Sequence, residues 1–468
     1  MITSESVQKL IKNSVQVEPE FVITNREALN DIMDDLVWLA VFGNDTEKNE
    51  ARYVIWNSAQ LTNNVPSSIH DFYVAKATGE VPLDITTPAI NLRGMAYDMA
   101  QVIFKVAKRN NIGAFVFELA RSEMGYTDQS PAEYSAVLLA AAIKSNWDRP
   151  LFIQGDHFQT KVAEPGVPKD GEVETIKNLI LEAMNYGFYN IDIDTSTLVD
   201  LDKPTEKEQQ EPNVKYSLEF AKFVRDNEPD GITISLGGEI GHIGGKNSTV
   251  EDFYAYIEGF NNGLRDSDVG MSKISIQTGT SHGGVVLPDG TLADISVDFQ
   301  VLLDISRECR KMGMGGAVQH GASTLPDEYF NQFTKSEAVE VHLATGFQNI
   351  IMDHPKFPKD LLEKMYKWAD ENKSDERKEG QTDEQFHYKT RKKAWGLLKK
   401  GSWSIDKSDK EEIMKALEDR FEFLFGELNV ADTYDLVDKL VKPVKIYKEL
   451  SDFSTETVTK GKVKGLAD

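Results

Sequence analysis

The chain alternates between short apolar, β-branched runs and longer amphipathic stretches. Short apolar runs are typical of buried parallel strands, and amphipathic stretches at helical spacing are typical of the helices that connect them. The predicted strands are Ala89–Leu92, Ala114–Glu118, Leu151–Gly155, Tyr189–Asp194, Ile232–Gly237, Ile274–Gly279, Gly316–His320 and Gln348–Met352. The predicted helices are Met95–Arg109, Pro131–Asn146, Glu172–Gly187, Ser217–Asp226, Val250–Gly263, Asp298–Met312 and Ser336–Gly346. Eight strands in this alternation predict a closed (β/α)8 barrel, the TIM-barrel fold.

Helical periodicity continues on both sides of the predicted barrel. It is clearest over Ala28–Val41 upstream and over Pro358–Asn372 and Glu411–Phe425 downstream, with a charged polar stretch at Lys373–Lys393 that is a solvated loop or an exposed helix. We therefore predict three segments, which are an N-terminal helical extension (1–87), the barrel (88–357) and a C-terminal helical extension (358–468).

Acidic and imidazole side chains follow the predicted strands at the ends where a barrel builds its active site. The chain has only eight histidines, and three of them lie in Gly-flanked polar segments directly after apolar runs. Three imidazoles with an open fourth position are the usual ligands of a catalytic Zn²⁺. The residues concerned are Asp156, His157, Asp194, Glu239, His282, His320 and Asn349. This pattern predicts one metal site, and the alternative is a set of separate, hydrogen-bonded histidines.

Glycines beside these histidines predict an anion site. Gly283-Gly284 and Gly321-Ala322-Ser323 expose backbone N–H groups at strand-to-helix turns, which bind phosphate in many barrels. Small residues at these positions could instead serve only a tight turn. The remaining histidines have a weaker case. His242, in the loop after Glu239, could contact substrate or be a solvated loop imidazole. The others are interpreted as structural or exposed, namely His70, His342, His354 and His387.

Composition limits the kinds of partner that the protein can bind and the compartments in which it is expected. A net charge of −24 argues against nucleic-acid binding, because a polyanion would be repelled. The single cysteine, Cys309, excludes an internal disulfide and fits a reducing compartment. The first residues lack the features of a signal peptide, and no apolar run is long enough to cross a membrane. We therefore expect a cytoplasmic protein that binds neither nucleic acid nor membrane.

The ordered motifs resemble the class II, metal-dependent fructose-bisphosphate aldolase family from about Pro88 to Thr433. The matching segments, in the family's order, are PAINLRGMAYDMAQ, GDH, IDIDTS, GGEIGHIGG, GTSHGG, VQHGAST and QNIIMD. The resemblance implies that His157, His282 and His320 bind Zn²⁺, with Glu239 and Asp194 as alternate or second-ion ligands. It also implies that Asp156 is the acid/base at the C4 hydroxyl and that Asn349 contacts the enediolate.

The same resemblance suggests the groups that hold substrate. It implies that Gly283, Gly321 and Ser323 bind a phosphate together with a monovalent cation. Ser122 occupies a position where serines of the family contact phosphate. Arg391 falls where the family has an arginine that reaches the far phosphate from a neighbouring subunit, although a solvated cation is an equal reading of that residue.

The chain departs from the family pattern in two places. The family has an acidic residue after the double glycine of the Glu239 motif, whereas Lys246-Asn247 stands here, and Glu251 and Asp252 are displaced replacements or the start of the next helix. The family has Asp-Thr after Asn-Ile in the last strand, whereas the predicted last strand has Ile351-Met352. Because of these departures, the sequence does not identify which sugar is the substrate.

The leading hypothesis is a Zn²⁺-dependent aldolase of carbohydrate metabolism, as in glycolysis. It would cleave a ketose (bis)phosphate reversibly to dihydroxyacetone phosphate and an aldehyde, as a homodimer or homotetramer. One alternative is a metal-dependent epimerase or isomerase of a sugar or sugar acid on the same barrel. Another, suggested by the stretch around Ser122, is a non-catalytic companion of an aldolase, similar to the companion subunit of tagatose-bisphosphate aldolase.

Overall fold

The computed structural model describes residues 2–241, 246–279, 287 and 297–453. Within them, eight parallel strands follow one another around a barrel, and the pairing of the third strand with the fourth closes it. The strands are β1 (Thr87–Asn91), β2 (Val116–Ala120), β3 (Leu151–Gln159), β4 (Asn190–Asp194), β5 (Ser235–Glu239), β6 (Lys273–Ile276), β7 (Ala317–Gln319) and β8 (Glu340–Leu343). The predicted (β/α)8 barrel is confirmed.

Helices surround the barrel, and further helices precede and follow the barrel segment in the chain. The amino-terminal helices are α1 (Glu5–Ile11), α2 (Arg26–Asp31), α3 (Met33–Phe42), α4 (Asp45–Leu61) and α5 (His70–Ala77). Those of the barrel are α6 (Ala96–Arg109), α7 (Arg121–Thr127), α8 (Pro131–Lys144), α9 (Glu172–Asn185), α10 (Glu206–Asn227), α11 (Val250–Gly263), α12 (Phe299–Lys311), α13 (Phe330–Lys335) and α14 (Thr345–Met352). The carboxy-terminal helices are α15 (Lys359–Asn372), α16 (Asp383–Thr390), α17 (Trp395–Trp403), α18 (Lys407–Glu427) and α19 (Tyr434–Leu440).

The extensions pack on the barrel and share its core. Helices α3 and α4 contact α8, and α18 contacts α6, so apolar residues of all three segments form one buried cluster. In the described residues, five further strands of two or three residues lie outside the barrel ring or at its rim. Val15–Gln16 pairs with Val22–Ile23, Val162–Glu164 pairs with Val167–Pro168, and Pro66–Ser67 pairs with the start of β3. Of the helices in the described residues, none combines the length and the apolarity that crossing a bilayer requires.

The last strand of the barrel is not the predicted one. Residues 348–352 belong to helix α14, and the segment predicted as the helix Ser336–Gly346 contains β8. Strand β8 pairs with β7 through Val318 and Glu340 and with β1 through Ala89 and His342. The prediction for this strand was wrong, and the correction places His342 on the wall of the barrel.

Gly237 makes room for a buried ion pair inside the barrel. A Cβ at this position would lie 2.2 Å from Asp192 Oδ1 and 3.0 Å from Lys273 Cε, and Lys273 Nζ lies 2.9 Å from Asp192 Oδ1. We expect Gly237→Ala to lower the free energy of unfolding by about 1–3 kcal/mol, because overpacking would push these charged groups apart. Denaturant titration of both proteins, followed by circular dichroism, measures this difference.

Gly426→Ala is the matched control for that substitution. Gly426 lies near the end of α18, is exposed, and has no atom within 4 Å of the position of an added Cβ. Its replacement is expected to be neutral or to stabilise the protein by up to ~1 kcal/mol. If the two variants unfold at the same denaturant concentration, the space at Gly237 is not needed for the ion pair.

Candidate active site

Two imidazoles and two carboxylates meet at the carboxyl ends of the strands. His157 Nδ1 lies 3.1 Å from Asp194 Oδ2 and 3.1 Å from Glu239 Oε2. The ring of His320 lies beside that of His157, with 4.2 Å between their centroids. One ligand atom each from His157, Glu239 and His320 fits within 4.8 Å, which is the spacing of groups that share an ion. The structure therefore brings together four of the five predicted ligands, and the fifth, His282, lies outside the described residues, as does Gly283.

Strand β3 is distorted where it carries His157. The pairing of β3 with β4 shifts register between Gly155 and Phe158, and His157 has a φ of 41°. This left-handed backbone is uncommon for a residue other than glycine and is costly enough that the surrounding structure must maintain it. A bulge of this kind redirects a side chain beside an active site. Here it allows both Asp156 and His157 to contribute to the mouth of the barrel.

Neighbouring side chains fix the orientation of the ligands. Asp194 Oδ1 accepts hydrogen bonds from the backbone N–H and the hydroxyl of Ser196, at 3.1 and 2.7 Å, and its Oδ2 accepts one from Gln159 at 2.7 Å. The Ser275 hydroxyl lies 2.8 Å from His320 Nε2. Outer hydrogen bonds of this kind orient ligands and tune the affinity of metal sites.

Glu239 and His157 favour protonated forms, and a bound cation would displace these protons. Burial, followed by the nearby charge of Asp194, raises the pKa of Glu239 to about 7. Burial opposes the charged form of His157, but Asp156 and Glu239 outweigh it and raise the pKa of that imidazole well above its ordinary value. Metal ligands must be deprotonated to bind. The affinity of this site for a metal therefore rises with pH.

The donor set fits Zn²⁺. A tetrahedral ion bound at about 2.0–2.1 Å separates its ligand atoms by about 3.3 Å. The separations of 3.1 Å from His157 Nδ1 to Asp194 and Glu239 are close to that value. Imidazole and carboxylate are both ordinary ligands of Zn²⁺.

Asp156 lies beside these ligands as a carboxylate. Its Oδ2 accepts a hydrogen bond from Asn91 Nδ2 at 2.9 Å, and its Oδ1 lies 3.2 Å from His342 Nδ1 and 3.8 Å from His157 Nε2. Burial opposes ionisation, but the positive charges of His157 and His342 outweigh it and hold the pKa of Asp156 well below its ordinary value. The group is therefore ionised, which is the form that a proton acceptor requires.

His342 is the site residue that the sequence interpretation missed. It lies on β8, is 4% exposed, and its ring is 4.1 Å from that of His320. The alternation of Val339, Val341 and Leu343 with polar residues was the signal for a strand.

Asn349 and Arg391 contact each other, and Asn349 lies on a helix rather than on the predicted strand. Asn349 belongs to helix α14, where its Nδ2 donates to the Tyr388 hydroxyl at 2.8 Å and its Oδ1 accepts from Arg391 at 3.0 Å. Arg391 is buried in an ion pair with Asp353 of the same chain. The placement of Asn349 on the last strand was wrong; contact of either residue with substrate stays a prediction.

The other predicted substrate contacts occupy the turns after β7 and β2. Gly321 has a φ of 70° and opens the turn Ala322–Thr324, in which the Ser323 hydroxyl accepts a hydrogen bond from the Gly346 N–H at 3.0 Å. Ser122 is half-buried in the first turn of α7. The structure thus links Ser323 to the start of α14.

The two carboxylates nearest to Lys246 in sequence lie at the start of a helix, and one of them is engaged there. Glu251 and Asp252 lie in the first turn of α11, and the Asp252 side chain caps that helix by accepting from the N–H of Thr249 at 3.0 Å. Lys246 Nζ lies 3.6 Å from Asp252 Oδ1. The reading of these residues as the start of a helix is confirmed.

The comparisons with known proteins agree with the fold and with the motifs. A family model described as fructose-bisphosphate aldolase class-II matches residues 84–400. No curated protein sequence matches the chain.

Among solved structures, the chain is similar to a fructose-bisphosphate aldolase from Campylobacter jejuni (14% identity, 78% of this chain and 94% of that one, TM-score 0.45). It is similar to the YdjI aldolase from Escherichia coli K12 (14% identity, 73% and 98%, TM-score 0.41). It is also similar to the fructuronate-tagaturonate epimerase UxaE from Cohnella laeviribosi (12% identity, 84% and 86%, TM-score 0.49). Because the family model covers more than half of its length, the chain belongs to the class II fructose-bisphosphate aldolase family.

Proposed function

We propose that this protein is a Zn²⁺-dependent aldolase that reversibly cleaves a ketose phosphate to dihydroxyacetone phosphate and an aldehyde. The observation that carries the proposal is the position of the Asp156 carboxylate directly beside the imidazole and carboxylate group of His157, Glu239 and His320. A general base next to a metal site is what cleavage of a carbon–carbon bond beside a hydroxyl requires. His157, Glu239, His320 and Asp194 would hold the ion, with His282 as a further proposed ligand.

Each of the chain's groups then has a part in the reaction. When bound, Zn²⁺ supplies Lewis acidity, which polarises the ketone and stabilises the negative charge that develops on the adjacent carbon. Asp156 accepts the proton of the hydroxyl on the far side of the breaking bond, and in the reverse direction returns it. Asn91 and His342 hold the two oxygens of Asp156, so the carboxylate keeps its orientation as the proton moves.

The phosphate is assigned to the turn at Gly321 and Ser323, with Gly283 and Ser122 as further proposed contacts and a monovalent cation beside them. Support comes from the left-handed backbone of Gly321, which opens the turn after β7, because barrels commonly bind phosphate after their last two strands. Arg391 is engaged by Asp353, so a contact between Arg391 and phosphate would require that ion pair to open or to be shared.

A second candidate is a metal-dependent epimerase or isomerase of a sugar or sugar acid. The observation that favours it is the engagement of Asp252 in capping α11 and in contact with Lys246, and the position of Glu251 in the same turn. Among the described residues around Lys246, neither carboxylate is thus placed as the family's loop acid, which protonates the carbon after cleavage. An enzyme that re-forms the bond on the other face of the aldehyde has less need of that proton.

The two candidates differ in their products. We expect the purified protein to contain about one Zn²⁺ per chain, and removal of the metal with a chelator to abolish turnover until Zn²⁺ is restored. Triose phosphate released from fructose, tagatose and related bisphosphates is followed with a coupled dehydrogenase, and epimers are detected by NMR. Release of triose phosphate identifies an aldolase.

The other possible results of these measurements also distinguish the candidates. An epimer formed without triose phosphate would identify the second candidate. A folded protein that binds no Zn²⁺ and releases no triose phosphate would contradict both enzymes and leave the role of a non-catalytic companion. Protein carried through the chelator and restored with Mg²⁺ alone serves as the control for recovery.

A further inference from the structure

His342 is held on both sides of its ring by carboxylates. Its Nδ1 lies 3.2 Å from Asp156 Oδ1 and 3.3 Å from Glu118 Oε2. Its Nε2 lies 2.5 Å from Glu340 Oε1 and 3.6 Å from Asp192 Oδ2. Since each nitrogen has a carboxylate in front of it, the imidazole has one favourable orientation, and that orientation aims Nδ1 at Asp156.

The side of the ring remote from Asp156 is anchored deep in the barrel. Glu340 is 0% exposed and accepts hydrogen bonds from Lys273, Tyr73 and Gln154, the last at 3.0 Å. Lys273 is itself 0% exposed and donates to Gln154 Oε1 at 2.8 Å. A carboxylate bound by this many donors cannot swing away, so Glu340 is a rigid support for His342.

Asp156 has few other contacts that fix its orientation. Asn91 donates to Oδ2 at 2.9 Å, but the same amide nitrogen also donates to Glu123 Oε2 at 2.9 Å. Glu118 and Asp156 both face Nδ1 of His342. The other oxygen of Glu118, Oε1, is buried and has no hydrogen-bond partner. Without the imidazole, Asp156 would lose the partner of its Oδ1 and would depend on the Asn91 amide, which also donates to Glu123.

We propose that His342 is a positioning residue that sets the orientation of the Asp156 carboxylate, through a chain that runs from Asp156 to His342, Glu340 and Lys273 along the barrel interior. This inference rests on the proposed function, in which Asp156 takes the proton of the substrate hydroxyl. It differs from a role as metal ligand, although one nitrogen of His342 lies within 4.8 Å of ligand atoms of Asp156 and His320. Loss of such a support typically lowers activity by about 10–100-fold.

Two substitutions of His342 test the contacts of its two ring nitrogens separately. In His342→Asn, the amide can place a donor near the position of Nδ1 and so face Asp156. In His342→Gln, the longer side chain places its amide near the position of Nε2, facing Glu340. We expect His342→Gln to lower kcat for cleavage by about 10–100-fold and His342→Asn to recover most of that loss. Both variants should retain their Zn²⁺, measured by atomic emission after dialysis.

A second reaction distinguishes positioning from a general structural role. The enzyme can also exchange the carbon-bound hydrogen of dihydroxyacetone phosphate with solvent, which NMR in D₂O measures. This exchange does not involve the hydroxyl whose proton Asp156 accepts during cleavage. Exchange should therefore stay within about threefold of wild type in His342→Gln, whereas damage to the whole site would lower exchange and cleavage together. His70→Asn is the matched control, since His70 is a buried histidine beside the cavity at the opposite end of the barrel.

Crystal structures of wild type and His342→Gln provide a readout that does not depend on turnover. We expect the Asp156 carboxylate to rotate or lose order in the variant while His157, Glu239 and His320 keep their places. An unmoved Asp156, an equal loss of exchange and cleavage, or loss of Zn²⁺ would overturn the positioning role, and the last would make His342 a ligand. A wild-type protein with neither cleavage nor exchange would defeat the proposed function, and the crystal structures alone would then decide the inference.

Discussion

Replacing His157 with alanine is expected to remove the bound metal and to lower the rate of cleavage by about 10³-fold or more. His157 is the ligand that lies nearest to both carboxylates, at 3.1 Å from Asp194 and 3.1 Å from Glu239. Without its imidazole, those two acids face each other in a buried site and take up protons instead of a dication. Zn²⁺ content after dialysis and steady-state kinetics with the best ketose phosphate measure the two effects.

His387→Ala is the matched control for that loss. His387 lies on α16, where its Nε2 is 2.9 Å from Asp370 Oδ1 and its ring stacks on Tyr366. Removing it deletes the same side chain far from the strand ends and should leave the Zn²⁺ content unchanged. A His157→Ala protein that keeps one Zn²⁺ per chain would show that the metal, if bound, is held elsewhere.

The first seven strands of the barrel could be predicted because each lies in or beside a short apolar, β-branched segment between amphipathic stretches. Strands that are buried on both faces leave this signal in the sequence, whatever they pair with. Strand β8 carries Glu340 and His342 into the polar interior of the barrel, where Lys273 on β6 and Asp156 on β3 are their partners. Its alternation of Val339, Val341 and Leu343 with polar residues is short, and the apolar residues of α14 were taken for the strand instead.

The ligand group could be predicted for a simpler reason. The ligand candidates lie at or within two residues of strand ends, and the ends of parallel strands in a closed barrel must meet. They are His157, Asp194, Glu239 and His320. The supports of Asp156 could not be found in the same way. Asn91 and His342 become relevant only through hydrogen bonds to a residue on another strand, and no local pattern specifies those bonds.

Replacing Asp156 with asparagine is expected to leave the metal in place and to lower kcat for cleavage by about 10²-fold or more. The amide has the shape of the carboxylate and can still meet Asn91 and His342, but it cannot accept the proton of the substrate hydroxyl. Exchange of the dihydroxyacetone phosphate hydrogen should persist, because that reaction does not use this proton. Zn²⁺ content, cleavage and exchange measured on one preparation test all three expectations.

Asp98→Asn is the control, since Asp98 pairs with Lys410 on the outside of the barrel and has no part in the site. Equal turnover in wild type and Asp156→Asn would remove Asp156 from the chemistry. Loss of Zn²⁺ would instead make Asp156 a ligand, because the amide is a weaker donor than the carboxylate. Since His342 acts only through the Asp156 carboxylate, either result would also remove the reason for its positioning role, and the polar interior that supports His342 would then need another explanation.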